Sequence, residues 1–195
     1  SHPNDFNRQL LRDKYNRFAA TKVNDQPGGG SLEPVLSFVD HIFGNFLGFA
    51  GRMLKGRNLD SSFAVQTLSG EIIKPDRIIT SESGSSTPFI ALFAETHKRL
   101  SIGKSRKKYG LILRYLRTRN IKLAIQTNGD QIRLIHAGLD YESWVEWDVA
   151  DWFESAEHLQ KLSGFFTLLG PAGITPGADS KIPLLKAIEG SRNKQ

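Results

Sequence analysis

The chain has 195 residues, with 26 Lys and Arg against 20 Asp and Glu, and no cysteine. That length and an ordinary share of apolar residues fit one domain and exclude a wholly disordered chain. Without cysteine there is no disulfide framework, no thiolate nucleophile and no thiolate-ligated zinc or iron–sulfur centre, so any chemistry must use carboxylates, histidine, lysine or hydroxyls.

No run of 18 apolar residues occurs, and the first residues lack the basic, apolar and small-residue regions of a signal peptide. A soluble, cytoplasmic protein without membrane contact is the expectation.

Residues 3–22 place Phe6, Leu10, Leu11, Tyr15 and Phe18 at helical spacing among charges, which predicts an amphipathic helix. Pro27 and three glycines then break the pattern, and Ser31 with Pro34 opens a second, strongly apolar helix over about 32–48. From 62 the period changes. SFAVQT, a Ser69-Gly70 turn and EIIKPDRIIT read as a β-hairpin, and FIALFAE at 89–95 reads as a strand buried on both faces. Lys104 to Asn120 is a basic amphipathic helix with Tyr109, Ile112, Leu113 and Leu116 inward. IKLAIQ at 121–126 and QIRLIHAG at 131–138 flank Thr127-Asn128-Gly129-Asp130, a tight-turn signature between antiparallel strands. A strand around Trp144 and Trp147, a helix over 155–169 and a terminal helix after the 171–180 loop complete the chain. The order predicts an α/β (α+β) fold with a mixed central sheet of about five strands flanked by helices. The organisation reads as an N-terminal helix and Gly-rich linker (1–30), a core (31–170), and a C-terminal linker and helix (171–195) leading to further regions.

Charge is unevenly spread. Between Glu95 and Asp130 there is no acid, while Lys98, Arg99, Lys104, Arg106, Lys107, Lys108, Arg114, Arg117, Arg119 and Lys122 fall there. A concentrated positive field is the footprint of a polyanion-binding face, with a solvated helix face as the plain alternative. Lys104, Arg106, Lys107, Lys108, Arg114 and Arg117 are the candidate DNA contacts.

Asp76 opens one strand and Glu95 ends a later one. If the two strands are neighbours, both carboxylates converge at one end of the sheet, where paired hard oxygens can hold Mg²⁺. The plain alternative is a capping Asp and an edge carboxylate paired with Lys98 or Arg99. Gln126, at a strand end near this point, reads as a hairpin-end hydrogen bonder. Glu33 is a further acid on the second helix. His136 reads as a packed histidine, and Trp144, Trp147 and Trp152 as packing groups with base stacking as the alternative. GGGS at 28–31 lacks the Lys-Ser/Thr ending of a phosphate loop.

PDRIIT, FIALFAETHK, the basic helix and the strand–TNG–strand element together resemble the PD-(D/E)XK restriction-endonuclease-like superfamily over about residues 60–170. They resemble in particular the N-terminal nuclease-like domains of large restriction-modification and phage-defence adenine methyltransferases. The resemblance implies a restriction-endonuclease-like core, Mg²⁺ or Mn²⁺ on Asp76 and Glu95, and duplex DNA as partner. For Gln126 it implies the orienting of water or backbone. It further implies methyltransferase or helicase regions of the same polypeptide, with S-adenosylmethionine bound only in those regions. The family's Lys, two residues after the second acid, is replaced here by His97, with Lys98 one place further on. On a regular strand His97 shares the face of Glu95 and Lys98 does not; a bulge or the strand's end can restore Lys98. Otherwise His97 must serve, or the module binds DNA or docks domains without cutting. An RNA-binding or protein-interaction domain is the third reading.

Overall fold

The computed structural model describes residues 5–23, 30–100, 104–138, 141–154, 159–176 and 181–192. The expected linker residues 24–29, the start of the fifth helix at 155–158 and the last three residues lie outside the described residues. The protein is α+β, built on a mixed six-stranded sheet flanked by helices. Strands β1 (Met53–Leu54), β4 (Arg77–Thr80), β5 (Pro88–Ala94), β6 (Leu123–Thr127), β7 (Gln131–Ala137) and β8 (Glu142–Asp148) lie side by side in the order β1-β4-β5-β6-β7-β8. Every neighbouring pair is antiparallel except β5 and β6. A parallel pair needs a long crossover, and here helix α3 (Lys104–Arg119) provides it.

The sheet exceeds the expected five strands by one, because the short β1 pairs with β4 through Met53↔Ile79 and Leu54↔Ile78. The predicted strand EIIKPDRIIT also divides. β2 (Val65–Gln66) pairs with β3 (Ile72–Ile73) in a separate two-stranded hairpin, and β4 begins anew at Arg77. Proline lacks the ladder donor, so Pro75 ends one pairing, and Asp76 stands at the break.

The two faces of the sheet are covered differently. Alternate residues Ile90, Leu92, Leu123, Ile125, Ile132 and Leu134 face a large core formed with α1 (Asp5–Val23), α2 (Glu33–Val39) and the helices after β8. Those are α4 (Asp151–Glu154), α5 (Leu159–Leu169), α6 (Pro171–Ile174) and α7 (Pro183–Arg192). Ala91, Phe93, Ala124 and Ile135 face Ile112, Tyr115 and Leu116 of α3, with Val65 and Ile73 of the hairpin on the same cluster. This period-two division is why β5 and β6 read as continuous apolar runs.

The second predicted helix changes hydrogen-bond pattern midway: after α2, residues Asp40–Phe46 form a π-helix, with Leu47 N donating to the Ile42 carbonyl at 2.8 Å. The exposed edge strand β8 carries Glu142 and Glu146, charges of the kind that discourage pairing with another chain. Among the described residues no helix is long and apolar enough to cross a membrane.

The Asn-Gly turn is the tightest local structure. Gly129 has φ +86°, and a Cβ there would collide with the Phe18 ring of α1. Asn128 Oδ1 accepts from the backbone N–H groups of Asp130 (3.1 Å) and Gln131 (2.7 Å). Lys22 Nζ donates to Asp130 Oδ2 at 2.5 Å and Tyr15 Oη to Oδ1 at 3.3 Å, so α1 is tied to the same turn. Burial, then the charge of Asp130, push the Tyr15 hydroxyl up to about 12.

Candidate active site

The buried run on β5 fixes the backbone on which the acidic corner is built. In the β4–β5 register Arg77 faces Leu92, so the break at Asp76 lies beside the end of β5. The Asp76 N–H donates to the Leu92 carbonyl at 2.8 Å, and its Oδ2 accepts from the Ala94 N–H at 2.8 Å. One residue later the Glu95 N–H donates to the Thr127 carbonyl at 2.9 Å, carrying the parallel pairing past the strand's end. Because β4 and β5 run antiparallel, the start of one and the end of the other meet. The strands being neighbours, Asp76 and Glu95 come to one corner of the sheet.

Glu95 is the unusual member, since its side chain is only 2% exposed. Gln126 Nε2 donates to Oε2 at 3.0 Å and also meets the Ser105 carbonyl (3.3 Å) and hydroxyl (3.2 Å). Oε1 has no hydrogen-bond partner among the described residues; His97 Nδ1 lies 3.5 Å away. A buried carboxylate oxygen left unpaired is costly and calls for a donor or a cation. Burial pushes the Asp76 carboxyl above its ordinary value, against the opposing pull of the Ala94 N–H and the charges of Lys108 and Arg77.

The cation at this corner is Lys108. Its Nζ donates to the Ala94 carbonyl, and its charge is felt by Asp76. This corrects two expectations. Lys98 is exposed and takes no part in the corner, because β5 ends at Ala94 and the alternation of a strand no longer governs residues 97 and 98. The His97 carbonyl is instead held by Asn128 Nδ2 at 2.9 Å, fixing the chain as it leaves the sheet. Lys108, expected on the outward DNA face, turns inward. The sequence did carry a signal: Lys108, Ile112, Tyr115 and Leu116 are spaced i, i+4, i+7 and i+8, one stripe of a helix. The same reading adds Ser105, fully buried three residues earlier on that stripe.

Two further residues escaped sequence reasoning. Asp40, where α2 passes into the π-helix, accepts from Arg77 Nε at 2.7 Å and from Lys55 Nζ at 2.9 Å. Burial works against its charge, but these hydrogen bonds prevail and hold its carboxyl below the ordinary value. Arg77 also donates to the Asp76 carbonyl at 2.8 Å, so this triad braces the break at which Asp76 sits.

Of the remaining candidates, Arg106, Lys107, Arg114 and Arg117 are exposed along α3; the Lys104 side chain lies outside the described residues. Lys107 lies 3.6 Å from Glu71 of the hairpin and Arg117 3.4 Å from Glu142, exposed pairs that salt screens. Glu33 is exposed near the start of α2. Trp152 is fully buried, Trp147 packs edge-on against Phe165, and Trp144 lies under the Arg133 guanidinium at 4.3 Å. Arg133 itself is buried and paired with Glu146.

No group of three or more His, Asp or Glu side chains able to hold a metal ion occurs among the described residues. Asp76 and Glu95 nonetheless fit a magnesium ion, which commonly takes one or two carboxylates and keeps several waters, and Glu95 Oε1 is the orphan atom such an ion would meet. Compared with family models, curated proteins and solved structures, the chain has no match in any of the three.

Proposed function

We propose that this domain is a divalent-metal-dependent DNA endonuclease module of a restriction-modification or phage-defence enzyme. The observation that carries the reading is the buried Glu95 carboxylate with an unpartnered oxygen, set beside Asp76 and the Lys108 ammonium. Asp76 and Glu95 would hold Mg²⁺ or Mn²⁺, which when bound lowers the pKa of a water and offsets phosphodiester charge. Gln126 donates to Glu95 Oε2, while Oε1 has no hydrogen-bond partner among the described residues. Lys108, anchored on the Ala94 carbonyl and close enough for its charge to act on Asp76, would supply a fixed positive charge for the negative charge that builds on a phosphate under attack. In this reading it would stand in for the lysine that the resembled family carries two residues after its second acid. The exposed cations of α3 continue outward from this corner and provide sequence-independent attraction for the duplex.

A second reading, a DNA-binding or domain-docking module that no longer cuts, is favoured by the outward position of Lys98. Plasmid nicking with Mn²⁺ or Mg²⁺, measured beside duplex binding on the same samples, separates the two. The nuclease reading expects nicking by the wild type and none by Asp76→Asn or Lys108→Met, with DNA binding kept by all three. Binding without nicking in the wild type would establish the second reading.

A further inference from the structure

Three buried polar atoms at the acidic corner have no hydrogen-bond partner among the described residues: Glu95 Oε1, His97 Nδ1 and Gln126 Oε1. The first two stand 3.5 Å apart. An N–H···O bond spans about 2.7–3.2 Å, so neither atom satisfies the other. The His97 side chain is 40% exposed, yet its Nδ1 is shut from solvent, beside a carboxylate that is itself 2% exposed.

Both residues are held in place by other atoms. The Glu95 N–H donates to the Thr127 carbonyl at 2.9 Å, and Gln126 Nε2 donates to Glu95 Oε2 at 3.0 Å. Asn128 Nδ2 donates to the His97 carbonyl at 2.9 Å. These contacts fix two backbones and the far carboxylate oxygen, and leave Oε1 and Nδ1 side by side.

A carboxylate oxygen only accepts, and a neutral imidazole has one nitrogen lone pair to give. A cation between the two completes both at once. Ligands about 2.1 Å from a tetrahedral ion stand about 3.4 Å apart, against about 3 Å for neighbours on an octahedral one. The observed spacing meets the tetrahedral case without movement. Ligand chemistry points the same way, because imidazole nitrogen suits zinc and its neighbours, whereas magnesium prefers oxygen. We propose that Glu95 Oε1 and His97 Nδ1 chelate a divalent transition ion of the zinc class, its other positions left to water or a phosphate oxygen. The inference rests on the proposed metal at this corner, and names that ion's chemistry and its nitrogen ligand.

Calorimetric titration of the whole chain with Zn²⁺ and, separately, Mg²⁺ tests this on the wild type, His97→Ala and Glu95→Gln, with His41→Gln as a control for stray histidine sites. Zn²⁺ binds the wild type more tightly than Mg²⁺ does. His97→Ala lowers Zn²⁺ affinity about tenfold or more and leaves Mg²⁺ as in the wild type, Glu95→Gln lowers Zn²⁺ affinity at least as much, and His41→Gln changes neither. The His97 ring is part exposed and the residue meets Asn128 through its backbone, so His97→Ala keeps the fold, which circular dichroism checks. No zinc binding, or zinc binding indifferent to His97→Ala, overturns the chelate and makes the pair a plain histidine–carboxylate contact. Mg²⁺ binding that survives His97→Ala and fails in Glu95→Gln, with zinc indifferent to His97, would overturn the chelate and leave the two-acid site of the nuclease reading standing. His97-dependent zinc binding by a chain that nicks no plasmid would establish the chelate and remove the nuclease reading.

Discussion

Two polar regions sit side by side at one end of the sheet, and their polar atoms are treated in opposite ways. In the turn at 128–130, Asn128 spends both ends of its amide: Oδ1 on two backbone N–H groups and Nδ2 on the His97 carbonyl. Asp130 is met by Lys22 and Tyr15. At the acidic corner, two residues back on β6, Gln126 leaves its Oε1 unpartnered among the described residues, and Glu95 leaves its own Oε1 so. Burial is comparable, with Asn128 and Gln126 both fully buried. A saturated network fixes a structure. An unsaturated one beside it costs stability and is retained where a ligand completes it. On the proposed reading, the turn serves folding and the corner serves function.

That assignment breaks if Glu95→Gln leaves a nicking activity intact. Loss of the carboxylate is expected to lower the rate more than about 10³-fold, equivalent to about 4 kcal/mol of barrier, while urea denaturation shows a fold at least as stable as the wild type. On the other side of the comparison, Gly129→Ala is expected to cost about 3 kcal/mol in the same measurement. It combines a left-handed backbone at φ +86° with a collision against Phe18. Asn128→Ala follows at about 2 kcal/mol, since it orphans backbone groups that Asn128 now satisfies.

Where residues act locally, the sequence was sufficient to read them. The apolar run of β5 and the Asn-Gly turn depend on neighbours along the chain, and they place Glu95 and Gln126 correctly. Asp76 was legible as well, because a Pro-Asp pair at a strand break can hardly be elsewhere than a strand's start. Lys108 was hidden for a different reason. Lys104, Arg106, Lys107 and Lys108 crowd the first turns of α3, and which of them turns inward is decided when the helix docks on Ala91, Phe93 and Ala124. The brace of Asp40 on Arg77 spans 37 positions and two elements, and no local pattern announces it. The two-residue β1 is too short to carry a period.

Asp76 sharpens the comparison through pH. An acid whose folded pKa lies above its unfolded value holds its proton more tightly in the folded chain. From the ordinary 3.8 upward to the raised value, the folded state binds more protons than the unfolded, so wild-type stability falls as pH rises through that window. Asp76→Asn lacks this loss and keeps an oxygen for the Ala94 N–H. Its stability advantage over the wild type is expected to grow with pH across the window and then level off. An advantage that shrinks with rising pH would place Asp76 among the structural acids.

The finest division is between two adjacent lysines. Lys107 is 73% exposed at the side chain and lies 3.6 Å from Glu71, whereas Lys108 is anchored on the Ala94 carbonyl at the corner. If the outer face of α3 meets phosphates, Lys107→Ala reduces the slope of log K against log salt by about 0.9 and leaves nicking at saturating DNA unchanged. Lys108→Met is expected to do the reverse, keeping the slope and losing the cut. A phosphate contact contributes by releasing counterions, an effect set by charge near the duplex; a cation held at a buried carbonyl contributes by standing where charge develops. Fluorescence titrations over a salt series read the first, and single-turnover nicking the second. Equal effects of the two variants on both would mean that the corner and the helix face form one electrostatic surface, and that Lys108's anchor on Ala94 does not set it apart.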